Sequence, residues 1–310
     1  MPASNPMIVF MGSPEFAVPV LRALYENFDV VGVVTQPDRP AGRGRKLSAP
    51  PVKQLAQELE LPTIQPRRLR DPEAGDQLKA WAPDLIVVAA FGQILRQELL
   101  DLPAFGCVNV HASLLPRWRG AAPIQAAILH GDEQTGVTIM RMDAGIDTGP
   151  IIHQRATTIH PDETAGELSD RLASLGAELL VNTLPAYLDG ELLAHPQDET
   201  QASYAPPLTK KDGLLDFNRP ADALARQVRA FQPWPGAYTY WLDQVLKIHS
   251  AYPISDGEAE SLLSPGQRTV YENMPAICSS QGLLILDQIQ PAGKKAMAGE
   301  VFLQGARNWL

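Results

Sequence analysis

The sequence predicts an α/β protein in which a mostly parallel sheet is followed by a small β-barrel. Three observations carry that prediction. Short apolar runs alternate with helical patterns through residues 1–190, as strands of a two-sided parallel sheet do. A polar, proline-bearing stretch, "ELLAHPQDETQASYAPPLTKKD", then breaks the pattern and reads as a linker over 191–207. From 208 to 310 the chain becomes a series of short β-prone runs separated by turn signals.

The first domain opens on "MIVFM" (Met7 to Met11), a buried strand, followed by Gly12-Ser13-Pro14 and the helical pattern "EFAVPVLRALYEN". "VVGVV" (Val30 to Val34) is a second strand, "PVKQLAQELEL" a helix and "PTIQP" a short strand. "DLIVVAA" (Asp84 to Ala90) and "CVNVH" (Cys107 to His111) are two more buried strands. "PIQAAILHGD" is a helix that stops at Gly131, and "GVTIMRMD" and "GPIIHQRATTI" are strands. Thr164 and Glu167 form a capping-box signature ahead of a long helix whose core stripe is Leu168, Leu172, Leu175 and Leu179. Beyond the linker stand one short helix, "ADALARQVRAF", and the runs "AYTYWL", "QVLKIHSAYPI", "TVYENMPAICSS" and "GLLILDQIQP".

Composition narrows the function. Hydrophobic residues make up 45% of the 310 and charged residues 20%, the proportions of a folded soluble chain. The only cysteines, Cys107 and Cys278, are far apart, so neither a disulfide framework nor a cysteine metal cluster is expected, which fits a cytoplasmic location. No segment has the length of a membrane span, and the amino-terminal apolar run reads as a strand, not a signal peptide. The formal net charge of −9 argues against a general nucleic-acid binder. Its distribution is uneven, however. Acids and bases nearly balance after residue 207, while the acidic first part holds two basic islands, "RPAGRGRK" (Arg39 to Lys46) and "RRLR" (Arg67 to Arg70). The turn "MGSPEF" has one glycine and lacks the G-x-G-x-x-G of a dinucleotide site, and no G-x-x-x-x-G-K-[ST] is present.

Asn109 and His111 alternate with valines at the end of a predicted strand, so both side chains leave the same face. Strand ends are where open α/β sheets bind ligands. Downstream, "MDAGIDTGPII" carries Asp147 between glycines that let the backbone turn tightly. On these residues alone His111 could equally be a hydrogen-bonded core histidine, Asp147 a turn former and Asn109 a cap.

"NVHASLLPRWRGAAPIQ" followed by "TGVTIMRMDAGIDTGPII" resembles the signature of the folate-dependent formyltransferases. "TQPDRPAGRGRKL", "PVKQLA", "RAFQPWPGA" and "QPAGKKAM" are similar to the branch of that family that acts on methionyl-tRNA, over nearly the whole chain. His111-Ala112-Ser113 has alanine where many relatives have glycine. The resemblance implies a Rossmann-like formyltransferase domain (1–190) and, after the linker, an OB-like barrel (208–310) that contacts tRNA. It implies Asn109, His111 and Asp147 as the catalytic set and Ser113, Leu114, Leu115 and Pro116 as the folate-binding segment. It gives the loop with Arg39, Arg43, Arg45 and Lys46 to the acceptor stem. Lys210, Lys211, Lys294 and Lys295 form a second candidate RNA-contacting group, with a solvated surface as the alternative. The implied substrates are 10-formyltetrahydrofolate and initiator methionyl-tRNA, with no metal and a monomeric enzyme.

The chemistry suits these residue types. A neutral amine attacks the formyl carbon and produces a tetrahedral oxyanion, which needs preorganised donors. Asn109 and His111 can donate; Asp147 can hold the imidazole in one orientation and relay the amine proton through water to the departing folate nitrogen. The substrate amine is the nucleophile, so no nucleophilic side chain is required. Two alternatives stay open at this point: a formyltransferase for an amino sugar or purine nucleotide, and a folate- or RNA-binding module without catalysis. A metal-dependent hydrolase would need H-E-x-x-H or a Cys/His cluster, and neither is present.

Overall fold

The computed structural model describes residues 6–41, 46–254 and 264–310. They form two compact units. One comprises 1–123, 134–158 and 169–205; the other comprises 124–133, 159–168 and 206–310.

The first unit is built on strands β1 (Met7–Gly12), β2 (Asp29–Val34), β5 (Thr63–Ile64), β6 (Leu85–Ala89), β7 (Cys107–His111), β9 (Gln134–Arg141) and β10 (Ile151–Thr158). A two-stranded hairpin, β3 (Arg39–Ala41) with β4 (Lys46–Ser48), lies between β2 and β5 in sequence, and β8 (Arg119–Gly120) lies between β7 and β9. The seven-stranded sheet runs β10-β9-β7-β6-β1-β2-β5. From β5 to β7 every pairing is parallel; β9 is antiparallel to both β7 and β10. Continuous apolar runs suit the parallel centre, since helices cover both faces there; Ile8, Val9, Phe10 and Met11 are fully buried. The glycine in "VVGVV" has a packing reason: a Cβ on Gly32 would stand 2.6 Å from the Trp81 ring.

Helices α1 (Val18–Asn27), α2 (Pro51–Glu58), α3 (Pro72–Trp81), α4 (Gln97–Leu100) and α6 (Ala165–Leu188, from 169 on) belong to this unit, whereas α5 (Pro123–His130, from 124 on) and the first turn of α6 fall in the other. The capping box expected ahead of α6 is present: Thr164 N donates to Glu167 Oε2 (2.9 Å) and Glu167 N to Thr164 Oγ1 (3.3 Å). Leu168, Leu172 and Leu179 are fully buried.

The basic segment 39–46 differs from a simple loop. Arg39 pairs with Ser48, Pro40 with Leu47 and Ala41 with Lys46. The base of this hairpin is tied down, because Lys53 Nζ and Gln65 Nε2 both donate to Asp38 (2.8 and 2.7 Å). Together they hold the Asp38 carboxyl below its ordinary range. Residues 42–45, which include Arg43 and Arg45, lie outside the described residues.

The stretch read as a linker is not free chain. His195 and Ile151 exchange backbone hydrogen bonds of 2.8 Å. Strand β11 (Tyr204–Ala205) pairs in parallel with β8. Local polarity and prolines suggest solvated chain, but backbone groups of His195, Ser203 and Ala205 are paired with Ile151 and with residues 116–122.

The second unit contains α7 (Ala221–Ala230), strands β12 (Ala237–Trp241), β13 (Gln244–Ile254), β14 (Arg268–Tyr271), β15 (Met274–Cys278), β16 (Leu283–Pro291) and β17 (Met297–Ala298), and α8 (Gly299–Gly305). The antiparallel sheet runs β12-β13-β16-β15-β14, with β17 on β16. Its core gathers Leu224 and Val228 of α7, Leu246, Ile248, Leu284, Leu286 and Ile289 of the sheet, and Phe302 and Trp309. Arg268 Nη2 on β14 donates to the Tyr240 carbonyl on β12 (2.9 Å), so one side chain links the two outer strands of the ladder.

Candidate active site

Strand β7 carries Asn109 and His111 into the sheet interior, where they are 9% and 6% exposed. Asn109 pairs with Val88 on one side and Met140 on the other, and His111 pairs with Thr138. Both backbones are therefore fixed by ladders, and both side chains share one face. A chain segment remote in sequence completes the group. Asp147 lies in the loop between β9 and β10 with φ of +52°, a left-handed conformation that non-glycine residues adopt rarely. Its Oδ1 accepts from Asn109 Nδ2 at 3.4 Å and its Oδ2 from Gly120 N at 2.8 Å. The same Oδ2 faces His111 Nδ1 at 3.6 Å, longer than a hydrogen bond. On the far side of the ring, Nε2 stands 3.0 Å from the Trp118 carbonyl oxygen. That oxygen can only accept, so Nε2 carries a hydrogen.

The segment after His111 is held from beneath. Thr138 Oγ1 donates to the Ser113 carbonyl (2.6 Å) and accepts from Leu115 N (3.1 Å), and Gln154 Nε2 donates to the Leu115 carbonyl (2.9 Å). Ser113 is fully buried, and its hydroxyl donates to the Arg117 carbonyl (2.6 Å). Leu115 is 3% exposed. Ser113 and Leu115 thus act inside the loop, and Leu114 and Pro116, partly exposed, present its surface.

"PRWRG" reads as a basic loop in sequence, but its two arginines have different fates. Arg117 lies over the Trp118 ring, 4.3 Å from the centroid. Arg119 is fully buried and makes two hydrogen bonds to Glu199, 2.9 Å from Nη1 to Oε2 and 2.8 Å from Nη2 to Oε1. Its Nε and Nη2 also donate to Gln197 Oε1 (3.0 and 2.8 Å). Gln197 Nε2 in turn donates to the carbonyls of Asp147 (2.8 Å) and Gly149 (2.7 Å). Sequence reasoning missed Gln197, Glu199 and Gly120 as parts of this site. They sit in a polar stretch and a turn whose composition says only that they are not core.

Among the candidate RNA-contacting residues, Arg39 is exposed and donates to Gln36 Oε1 (3.2 Å). Lys210 and Lys211 lie in an exposed turn, Lys210–Gly213, and Lys294 and Lys295 in the exposed turn after β16. None of these four amines makes a hydrogen bond or ion pair to the described residues. Arg68 and Arg70 of the second basic island line a cavity of about 290 Å³ with Lys79, Arg96, Leu78 and Ile94. Groups of His, Cys, Asp and Glu that could hold a metal ion do not occur among the described residues. No helix among them is long and apolar enough to cross a membrane.

Residues 6–184 match the family model described as formyl transferase, and residues 207–307 match the formyl transferase C-terminal domain. The chain belongs to the formyl transferase family. A methionyl-tRNA formyltransferase of Myxococcus xanthus (strain DK1622) is 50% identical over 303 residues, 97% of this chain and 96% of the relative. Another, of Geobacter sulfurreducens (strain ATCC 51573 / DSM 12127 / PCA), is 49% identical over 302 residues, 97% of this chain and 94% of the relative. With such identity over nearly its whole length, the chain falls among the methionyl-tRNA formyltransferases of that family. The crystal structure of WlaRD, a sugar 3N-formyl transferase in the presence of dTDP and 5-N-formyl-THF, shares the fold. Its TM-score is 0.67 at 19% identity, with 94% of this chain and 100% of that one covered.

Proposed function

We propose that the protein transfers the formyl group of 10-formyltetrahydrofolate to the amino group of initiator methionyl-tRNA, giving formylmethionyl-tRNA, in the cytoplasm and as a monomer. The observation that supports this reading most is the convergence of Asn109, His111 and Asp147 at one buried strand end. The amine nitrogen attacks the formyl carbon and the bond from that carbon to the folate nitrogen breaks. The proton lost by the amine ends on that nitrogen. Asn109 Nδ2 has a single long hydrogen bond of 3.4 Å and can donate to the oxyanion. His111 is placed to donate beside it, and Asp147 to accept and pass on the amine proton. Leu114 and Pro116, with the backbone of 113–116, are the proposed folate contacts. Arg39, Arg43, Arg45 and Lys46 are the proposed acceptor-stem contacts, and Lys210, Lys211, Lys294 and Lys295 a second contact within 208–310. Residues 1–190 then hold the chemistry, and 208–310 assist in holding RNA.

Incubating the protein with 10-formyltetrahydrofolate and methionyl-initiator-tRNA tests this directly: formylmethionine appears on the tRNA. A protein that leaves the tRNA unformylated but modifies an amino sugar nucleotide would overturn the assignment of the acceptor. One that modifies neither would be a binding module.

A further inference from the structure

We propose that Gln197, oriented by the buried guanidinium of Arg119, is a positioning residue for Asp147, so that the connector between the two halves of the chain is a working part of the catalytic loop. This rests on the reading of Asp147 as catalytic. The primary amide of Gln197 uses all four of its hydrogen-bonding positions. Its oxygen accepts from Arg119 Nε and Nη2, and its nitrogen donates to the carbonyls of Asp147 and Gly149. Arg119 thereby sets which way the amide faces. A reversed amide would aim its NH2 at a guanidinium and its oxygen at two carbonyls. Arg119 is itself fixed by its two bonds to Glu199, two residues further along the connector.

The object of this arrangement is a strained residue. Asp147 sits at φ +52°, a conformation that is unfavourable for a non-glycine residue and persists only where surroundings over-determine it. Gly120 N and Asn109 Nδ2 hold the Asp147 carboxylate, and Gln197 Nε2 holds its backbone carbonyl. A rotation of the 147 peptide would move the carboxylate relative to His111 Nδ1, now 3.6 Å away. Catalysis is sensitive to such displacements, since a misplacement of about 1 Å can lower a rate roughly a hundredfold.

The test uses the 310-residue protein in four variants: Gln197→Ala, Gln197→Glu, Asp147→Asn and the double Gln197→Ala/Asp147→Asn. Gln197→Glu is isosteric and keeps an acceptor for Arg119 but loses both donated bonds. The expected result is a fall in kcat of roughly tenfold to a hundredfold for both Gln197 variants. KM for each substrate stays within about threefold, since the loss is confined to the transition state. The double variant should be hardly slower than Asp147→Asn alone, because the two residues act through one group. Wild-type kcat in the Gln197 variants beside a slow Asp147→Asn would overturn the positioning role and leave Asp147 in the mechanism. A fast Asp147→Asn would remove both. A fast Gln197→Glu with a slow Gln197→Ala would show that packing, not donation, matters, and would also refute the proposal. So would a rise in KM that follows a lowered melting temperature while kcat is unchanged.

Discussion

His111 is held between an acceptor that fixes one ring nitrogen and a carboxylate that faces the other. His111→Ala should therefore lower turnover by about 10²–10³ while folate binding persists. Steady-state kinetics and a folate titration on the folded variant check this, and wild-type turnover would remove the imidazole from the mechanism. Cys107, two residues before Asn109, has a different character. Burial pushes its thiol up to about 12, so the thiolate needed for reaction is scarce near neutral pH. With Cys278 also buried, no thiol should react with an alkylating reagent at pH 8 until the chain is unfolded, when two should. Rapid labelling of the native protein would contradict this. The alternation of Asn109 and His111 was legible in sequence because strand period is local. The fit of Asp147 to them was not, because a left-handed residue across 38 positions of chain is placed by tertiary contacts. Gln197 had no signal at all: nothing about glutamine in a polar stretch distinguishes one that meets two carbonyls from one in water.

At the scale of elements, apolar runs located the strands well. The four buried runs of the parallel centre needed no tertiary information, and β7 lies at Cys107–His111 as read. Helix α3 has a weak sequence signal because Gly75 and a proline at its start dilute a helical pattern, and the 39–48 hairpin has one because short strands are set by pairing partners. That hairpin has a consequence for RNA. Its stem is paired and its base is tied to Asp38, and Arg43, Arg45 and Lys46 follow Ala41 in sequence. Replacing the three with alanine should weaken initiator-tRNA affinity and leave folate binding intact. The log–log salt dependence should flatten by roughly 0.7–0.9 for each phosphate that is no longer neutralised. Titrations at several salt concentrations measure it, and equal slopes in both proteins would leave the loop merely solvated. Element β8 depends on one residue. Gly120 has φ of +109°, and a Cβ there would lie 2.6 Å from the Ala205 carbonyl oxygen, so only glycine lets β8 and β11 run together.

For the molecule as a whole, a net charge of −9 is compatible with RNA as substrate because affinity follows local phosphate neutralisation, and the exposed bases occur in groups. Acid should weaken one contact of the connector. Arg119 lowers the Glu199 carboxyl below its ordinary range, chiefly through their hydrogen bonds. A lowered carboxyl stabilises the fold fully above its unfolded value, about 4.3, and that contribution is lost as pH falls through the lowered value. The connector should hence stay docked at neutral and mildly acidic pH and loosen below about pH 4. Hydrogen exchange at Arg119 and Ala121, whose amides donate to the Ser203 and Ala205 carbonyls, should report it. Protection unchanged at pH 3 would count against the clamp. The docked connector also bears on protein engineering. A fragment ended at residue 190, where composition invites the cut, would leave Arg119 without a counterion and the loop of Asp147 without its brace. Chimeras that replace the carboxy-terminal part of this chain should place their junction after Ala205, so that it keeps its own Gln197 and Glu199.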